Sequence, residues 1–162
     1  MLLSLFTIFH VLVSVVGIGS GFIVAYGLLT SKDFEGWTKT YLVTTVATSA
    51  TGFLFPYHGF KPSYVVGILS LIVLGLVIAA RYRYGLEGGW RRTYVIGSVT
   101  ALYFNVFVLV VQLFEKTPAL KALAPTQTEP PFLVTQVCVL LVAVYVGVRA
   151  TMNFHGRSAA AA

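Results

Sequence analysis

Charged residues are scarce in this chain. Only 10% of its 162 residues are Asp, Glu, Lys or Arg, while 57% are hydrophobic. Ordinary soluble domains carry about 25% charged residues, so this composition excludes an ordinary soluble domain. The sequence therefore predicts an integral membrane protein of the all-α class, built as a polytopic bundle of transmembrane helices.

Cysteine is almost absent as well. Cys138 is the single cysteine, and it lies within an apolar run. One cysteine excludes an internal disulfide framework and any metal site built on spaced cysteines. We expect Cys138 to be a small core residue.

The chain also lacks the basic cluster with interleaved aromatic residues that would turn its net charge of +6 into a nucleic-acid surface. Its basic residues lie instead in short loops between apolar runs, which is typical of membrane topology signals. We therefore expect no nucleic acid as a partner. The expected partners are the lipid bilayer, other membrane subunits or further copies of the chain.

Five apolar runs predict five transmembrane helices in one bundle of residues 1–157, followed by a disordered or non-native tail at 158–162. The first run is uncharged and, at ~1.5 Å per residue, longer than the ~30 Å hydrocarbon core. A cleaved signal peptide is the competing interpretation, but the run is too long for one and lacks a basic start. The expected spans are 2–29, 38–55, 62–80, 93–114 and 132–148.

Small and polar residues follow helical spacing along one face of the first span. Gly17 and Gly21 form a GxxxG motif, the spacing that allows two helix backbones to approach closely. His10, Ser14 and Ala25 continue the same face. We expect this face to pack against protein rather than lipid.

The second span is rich in hydroxyl groups. In TTVATSATGFLFPYHG (44–59), five of the first eight residues are Thr or Ser, and His58 follows the helix-breaking Pro56. A hydroxyl in hydrocarbon needs a hydrogen-bond partner, so this helix is expected inside the bundle. Two interpretations remain open: the hydroxyls allow close helix packing, or they line a polar pocket capped by His58.

The basic residues predict the orientation. Eight of the eleven lie in the 31–39 loop, the 81–92 loop or the C-terminal tail, whereas the other side has Lys61, Lys116 and Lys121. By the positive-inside rule the tail is cytoplasmic and the N-terminus is outside. The eight residues are Lys32, Lys39, Arg81, Arg83, Arg91, Arg92, Arg149 and Arg157.

This orientation gathers the polar residues of the spans toward the outer side of the membrane. An isolated amide or imidazole in lipid would cost several kcal/mol, so we expect these side chains to converge on one outer-leaflet pocket. A few oriented polar groups in an apolar cavity are typical of a small-molecule site. The candidate ligand-binding residues are His10, Thr48, Thr51, His58, Asn105, Gln112 and Gln136.

Four segments carry a resemblance to a known family: TTVATSATGFLFP (44–56), GILSLIVL (67–74), ALYFNVFVLVVQLF (101–114) and LAPTQTEPPF (123–132). The chain resembles a family of small, uncharacterised bacterial membrane proteins with four to five spans. The resemblance implies a multi-pass protein of the bacterial inner membrane. It implies no activity and no catalytic or ligand residue.

Several functional classes follow from the residues themselves. The first is a non-catalytic membrane protein, either an accessory subunit of a complex or a binder of a small hydrophobic ligand, because no charged residue lies deep in a span. The second is a redox protein that holds a haem iron between the imidazoles of His10 and His58. A small pore or carrier through the polar interior is a further alternative. An enzyme is disfavoured, since His58 has acid partners in Glu115 and Glu129 but no identifiable nucleophile.

Overall fold

The structure is a computed structural model that describes residues 2–55 and 62–156. This part of the chain is helical and contains no strand. The helices are α1 (Leu2–Thr30), α2 (Glu35–Gly52), α3 (Pro62–Ile78), α4 (Gly89–Lys116), α5 (Pro118–Leu123) and α6 (Pro130–Asn153). The helix α3 continues into a π-helical turn, Ala79–Arg83.

Four of these helices are long and apolar enough to cross a membrane: Leu3–Thr30, Tyr64–Arg83, Gly89–Lys116 and Pro130–Asn153. The expected all-α membrane bundle is thereby confirmed. The expected count of five spans is not. The predicted span 38–55 corresponds to α2, which begins in a charged segment and carries so many hydroxyl groups that its apolar content falls below that of the other four.

Helices α1 and α2 form a tight antiparallel hairpin. Gly17 faces Thr44, and Gly21 faces Tyr41, so the residue numbers rise along one helix as they fall along the other. A Cβ atom at Gly21 would lie 2.7 Å from Leu102 Cδ1 and 2.9 Å from Tyr41 Cε2. The expectation that the glycine face of α1 packs against protein is confirmed, because side chains of α2 and α4 fill the space beside it.

Hydrogen bonds join α2 to α3 and α4 as well. Ser49 Oγ lies 3.1 Å from Ser70 Oγ on α3, with which α2 runs antiparallel. The Tyr41 hydroxyl donates to the carbonyl oxygen of Ser98 on α4 at 2.8 Å. The polar helix is thus held from three sides, which satisfies hydroxyl groups that lipid could not.

Loops that are far apart in sequence meet at one end of the bundle. The Arg81 guanidinium binds both carboxylate oxygens of Asp33, at 2.8 and 3.0 Å. The Asn153 amide donates to the Leu29 carbonyl at 2.9 Å, and Arg91 donates to the Phe154 carbonyl. The 31–39 loop, the 81–92 loop and the segment after α6 therefore share one end, as the basic residues predict.

The connector between α4 and α6 lies at the opposite end. It is not a further span, because the only helix in it is the six-residue α5. Ala124 is buried there in a small cluster with Val110, Phe114 and Phe132. The connector thus closes the end of the bundle that lacks the arginines.

The expected burial of Cys138 is wrong, because this cysteine is exposed on α6. The helix lies at the edge of the bundle, and most of its residues face outward. In a membrane protein the lipid-facing side is as apolar as the core, so apolar neighbours do not indicate burial.

Candidate functional site

His10 on α1 is positioned by a hydroxyl group of α2. Its Nδ1 lies 2.8 Å from Thr51 Oγ1. The Thr51 hydroxyl has one proton, and it donates this proton to the Ala47 carbonyl oxygen one turn earlier, at 2.6 Å. Thr51 Oγ1 can therefore accept the proton of His10 Nδ1. In the tautomer with its proton on Nδ1, His10 Nε2 is an acceptor, and no residue that the structure describes donates to it.

Aromatic rings surround the imidazole of His10. The ring of Phe55 meets it edge to face, with centroids 5.1 Å apart, and Phe6 contacts Phe55 at 4.9 Å. Gly52 adds backbone beside the ring, because a Cβ atom there would lie 3.9 Å from His10 Cε1. Among the described residues, the half-buried imidazole thus lies beside an aromatic ring and is hydrogen-bonded to one hydroxyl.

Thr48 lies on the same side of α2, close to the His10 site. Its Oγ1 lies 3.4 Å from Ser14 Oγ, and Ser14 in turn donates to the His10 carbonyl oxygen at 2.7 Å. Three predicted site residues, His10, Thr48 and Thr51, therefore come together over the last turns of α2.

Asn105 on α4 pairs with a different part of α2. Its amide Nδ2 donates to Thr45 Oγ1 at 3.2 Å. Thr45 precedes Thr51 by six residues, which is about 9 Å along the helix axis. The amide is satisfied by a hydroxyl that the sequence analysis did not place in the site.

Among the described residues, no hydrogen bonds link the two predicted glutamines to His10. Gln136 on α6 is buried, and its Nε2 donates to the Phe107 carbonyl oxygen of α4 at 3.2 Å. Its Oε1 has no hydrogen-bond partner among the described residues. Gln112 is half-buried on α4, and within the described part of the chain its side chain forms no hydrogen bond.

His58 lies outside the residues that the structure describes. The pairing of His10 with His58, on which the haem hypothesis depends, therefore stays a prediction. The free lone pair of Nε2 makes His10 competent as a single metal or haem ligand. The described residues contain no group of three His, Cys, Asp or Glu side chains that could hold a metal ion.

A charged cluster that the sequence did not predict lies at the arginine-rich end. Besides its ion pair with Asp33, Arg81 donates to the Tyr94 hydroxyl at 3.2 Å, and its guanidinium lies 5.4 Å from the centre of the Tyr94 ring. Asp33 and Arg81 are 48 residues apart. No local pattern links them, and only their positions at the ends of neighbouring helices could have suggested the pair.

Two hollows in the described surface lie away from the predicted site residues. One, of about 340 Å³, is a groove between α3 and α4 that is lined by Leu76, Ile96 and Arg92 among others. The second, of about 480 Å³, lies at the 82–90 turn, where the rings of Tyr84 and Trp90 stack 4.0 Å apart. Neither hollow is lined by a residue of the predicted outer pocket.

Comparison of the chain with protein-family models, with curated proteins and with solved structures found no match. The resemblance to small bacterial membrane proteins therefore stays a prediction, and a function has to come from the chain's own residues.

Proposed function

We propose that the protein is a non-catalytic integral membrane protein that serves as an accessory subunit of a membrane complex. The observation behind this proposal is the direct pairing of the polar groups between helices. Thr51 is paired with His10, Thr45 with Asn105, and Ser49 with Ser70. Hydroxyls used in this way hold helices together, as small and hydroxylated residues commonly do in membranes.

The outer face of α6 supports the same proposal. Leu141 is 61% exposed and Tyr145 is 64% exposed. Its inner face packs on α4 and α1, with contacts such as Gly147 against Val99 and Gln136 against the Phe107 carbonyl. A peripheral apolar helix of this kind can pack on a second membrane protein without rearrangement of the bundle.

A photo-crosslinking amino acid at position 141 tests this proposal in native membranes. Val15 on α1 is 57% exposed and provides a control position on a different helix. We expect a discrete, light-dependent protein adduct from position 141 and none from position 15. A band at twice the mass would identify a second copy of the chain as the neighbour. Lipid adducts alone at both positions would contradict the accessory role.

A small-molecule site at His10 is the second candidate function. The free lone pair of Nε2, beside the Phe55 ring, favours it, because this nitrogen can accept a hydrogen bond from a ligand or bind a haem iron. The sequence-based prediction that His58 belongs to the same site is part of this proposal. In this proposal the Thr51 hydroxyl fixes the imidazole in the tautomer that the ligand needs.

The absorption spectrum and the co-purifying small molecules of the detergent-purified protein test the second candidate. A Soret band that is lost in both His10→Ala and His58→Ala variants would support a haem between the two imidazoles. Retention of the same molecule by the wild type and the His10→Ala variant would exclude a site at His10. Thr51→Val should weaken retention less than His10→Ala, since it removes only the group that orients the ring.

We further propose that α2 is a fifth span and that the N-terminus lies outside. At ~1.5 Å per residue, its 18 residues measure about 27 Å, close to the hydrocarbon thickness. Successive helices run in opposite directions. Gly17 contacts Thr44 while Gly21 contacts Tyr41, and Ser49 contacts Ser70 while Phe53, just after α2, contacts Gly67. The arginine-rich end then faces the cytoplasm by the positive-inside rule.

Cysteine labelling on intact cells tests this topology. Gly88→Cys lies at the arginine-rich end and Ala122→Cys in α5 at the other, each in a Cys138→Ser background. A membrane-impermeant thiol reagent should label only Ala122→Cys. Labelling of Gly88→Cys alone would invert the proposed orientation, and labelling of both would mean that α4 does not separate the two positions as proposed.

A further inference from the structure

The groove between α3 and α4 combines an apolar floor with one cationic side chain. Its walls include Leu76 of α3 and Ile96 of α4, which are 48% and 53% exposed. The floor forms where the helices meet at Gly97, because a Cβ atom there would lie 2.5 Å from Val77 Cγ2. Both helices are long and apolar enough to span a membrane, so the groove opens toward lipid.

Arg92 lies at the end of this groove, and its guanidinium forms no ion pair with any residue that the structure describes. Two neighbouring arginines are occupied: Arg81 binds Asp33, and Arg91 donates to the carbonyl oxygens of Thr151 and Phe154. Arg92 is exposed and has no ion pair or hydrogen bond to any residue that the structure describes. A long arginine in the first turn of a spanning helix reaches the headgroup level while its stem lies along apolar surface.

We propose that this groove binds one anionic phospholipid, with its phosphate on Arg92 and one acyl chain along Leu76, Ile96 and Gly97. The charge lies at one end of the groove and the apolar surface along its length. A phospholipid has the same arrangement, with a charged headgroup at one end and apolar chains along its length. A guanidinium binds a phosphate through two parallel hydrogen bonds. A zwitterionic headgroup also contains a phosphate, but its own positive charge lies nearby and repels the guanidinium. Basic pockets between spanning helices are known to hold anionic headgroups.

The site is independent of the accessory role and of the His10 candidate. It lies on the α3–α4 surface, whereas the partner face proposed above is on α6 and His10 is on α1. Loss of either of those functions would leave it intact. Its consequence is that the purified protein should prefer anionic lipid even when no other subunit is present.

Native mass spectrometry of the full-length protein in detergent, titrated with phosphatidylglycerol or phosphatidylcholine, tests the proposal. We expect phosphatidylglycerol to bind with higher affinity and to raise the apparent Tm more at equal concentration. Arg92→Gln should weaken phosphatidylglycerol binding about fivefold, the effect of losing one cation at a membrane surface. Arg149→Gln removes the same charge from α6 and should change the affinity little.

A second variant tests the acyl chain. Leu76→Trp fills the groove from an exposed position, so it should fold and yet reduce binding of phosphatidylglycerol, whereas Leu141→Trp on α6 should not. Equal binding of the two lipids, or equal losses in Arg92→Gln and Arg149→Gln, would overturn the proposal. Complete displacement of the lipid by glycerol phosphate would also overturn it, since the site would then recognise a soluble phosphate rather than a phospholipid.

Discussion

Replacing Gly21 with leucine should lower the free energy of unfolding by about 3 kcal/mol or more, the upper range for overpacking a filled site. The first added carbon would already lie 2.7 Å from Leu102 Cδ1 and 2.9 Å from the Tyr41 ring. Leu102 can move the end of its side chain. Tyr41 cannot move as easily, because it is 1% exposed and its hydroxyl is hydrogen-bonded to the Ser98 carbonyl at 2.8 Å.

The matched control is Gly19→Leu, two residues away on the same helix. Gly19 is exposed, and nothing lies within 4 Å of a Cβ atom built there. Both variants exchange the same residue types and have the same gain in helix propensity. Thermal unfolding in one detergent should therefore show a large loss of Tm for position 21 only. Equal loss at both positions would mean that the α1–α2–α4 contact does not limit stability.

Replacing Arg81 with methionine should cost about 3–5 kcal/mol, the usual result of removing one partner of a buried ion pair. Only 6% of the Arg81 side chain and 16% of the Asp33 side chain are exposed. Without the guanidinium, the Asp33 carboxylate loses its bidentate partner in a largely buried place. The variant also leaves the Tyr94 hydroxyl without the Arg81 donor at 3.2 Å.

Lys39→Met is the control for this prediction. It breaks the ion pair with Glu35, one turn earlier on α2, in which the side chains are 59% and 47% exposed. Exposed pairs of this spacing contribute about 0.3–0.5 kcal/mol, so Tm should hardly change. The double variant Asp33→Asn with Arg81→Met should be more stable than Arg81→Met alone, because it removes the carboxylate that has lost its guanidinium partner. If the double variant were less stable, the buried Asp33 carboxylate would not explain the stability lost in Arg81→Met.

Local patterns were sufficient for some features of the fold. The spacing of Gly17 and Gly21 predicts the packed face of α1, since glycine at helical intervals has few other physical uses in a membrane. The long apolar runs predict α1, α3, α4 and α6 to within a few residues. The count of five spans was not confirmed, because the hydroxyl groups that place α2 among its neighbours also lower its apolar content.

The candidate site depended on pairings that no local pattern contains. Helical spacing indicates that Asn105 and Gln136 face protein, but it does not say that one meets Thr45 and the other the Phe107 carbonyl. The convergence of all the polar residues on one pocket stays a prediction, since His58 lies outside the described residues. The tautomer of His10 was also beyond the sequence, because it depends on where the Thr51 proton points.

The hydroxyl-rich composition of α2 bears on how the chain enters a bilayer. Glu35, Lys39 and the threonines make α2 a weak candidate for independent insertion, because each polar group would have to leave water without a partner. The helix α1 is synthesised just before α2, so the groups of α1 that contact α2 are already present when α2 is made. If α2 is the fifth span proposed above, its insertion is coupled to α1, and a defect on the glycine face of α1 would appear during biogenesis as a missing span, before any loss of stability in the finished protein could be measured.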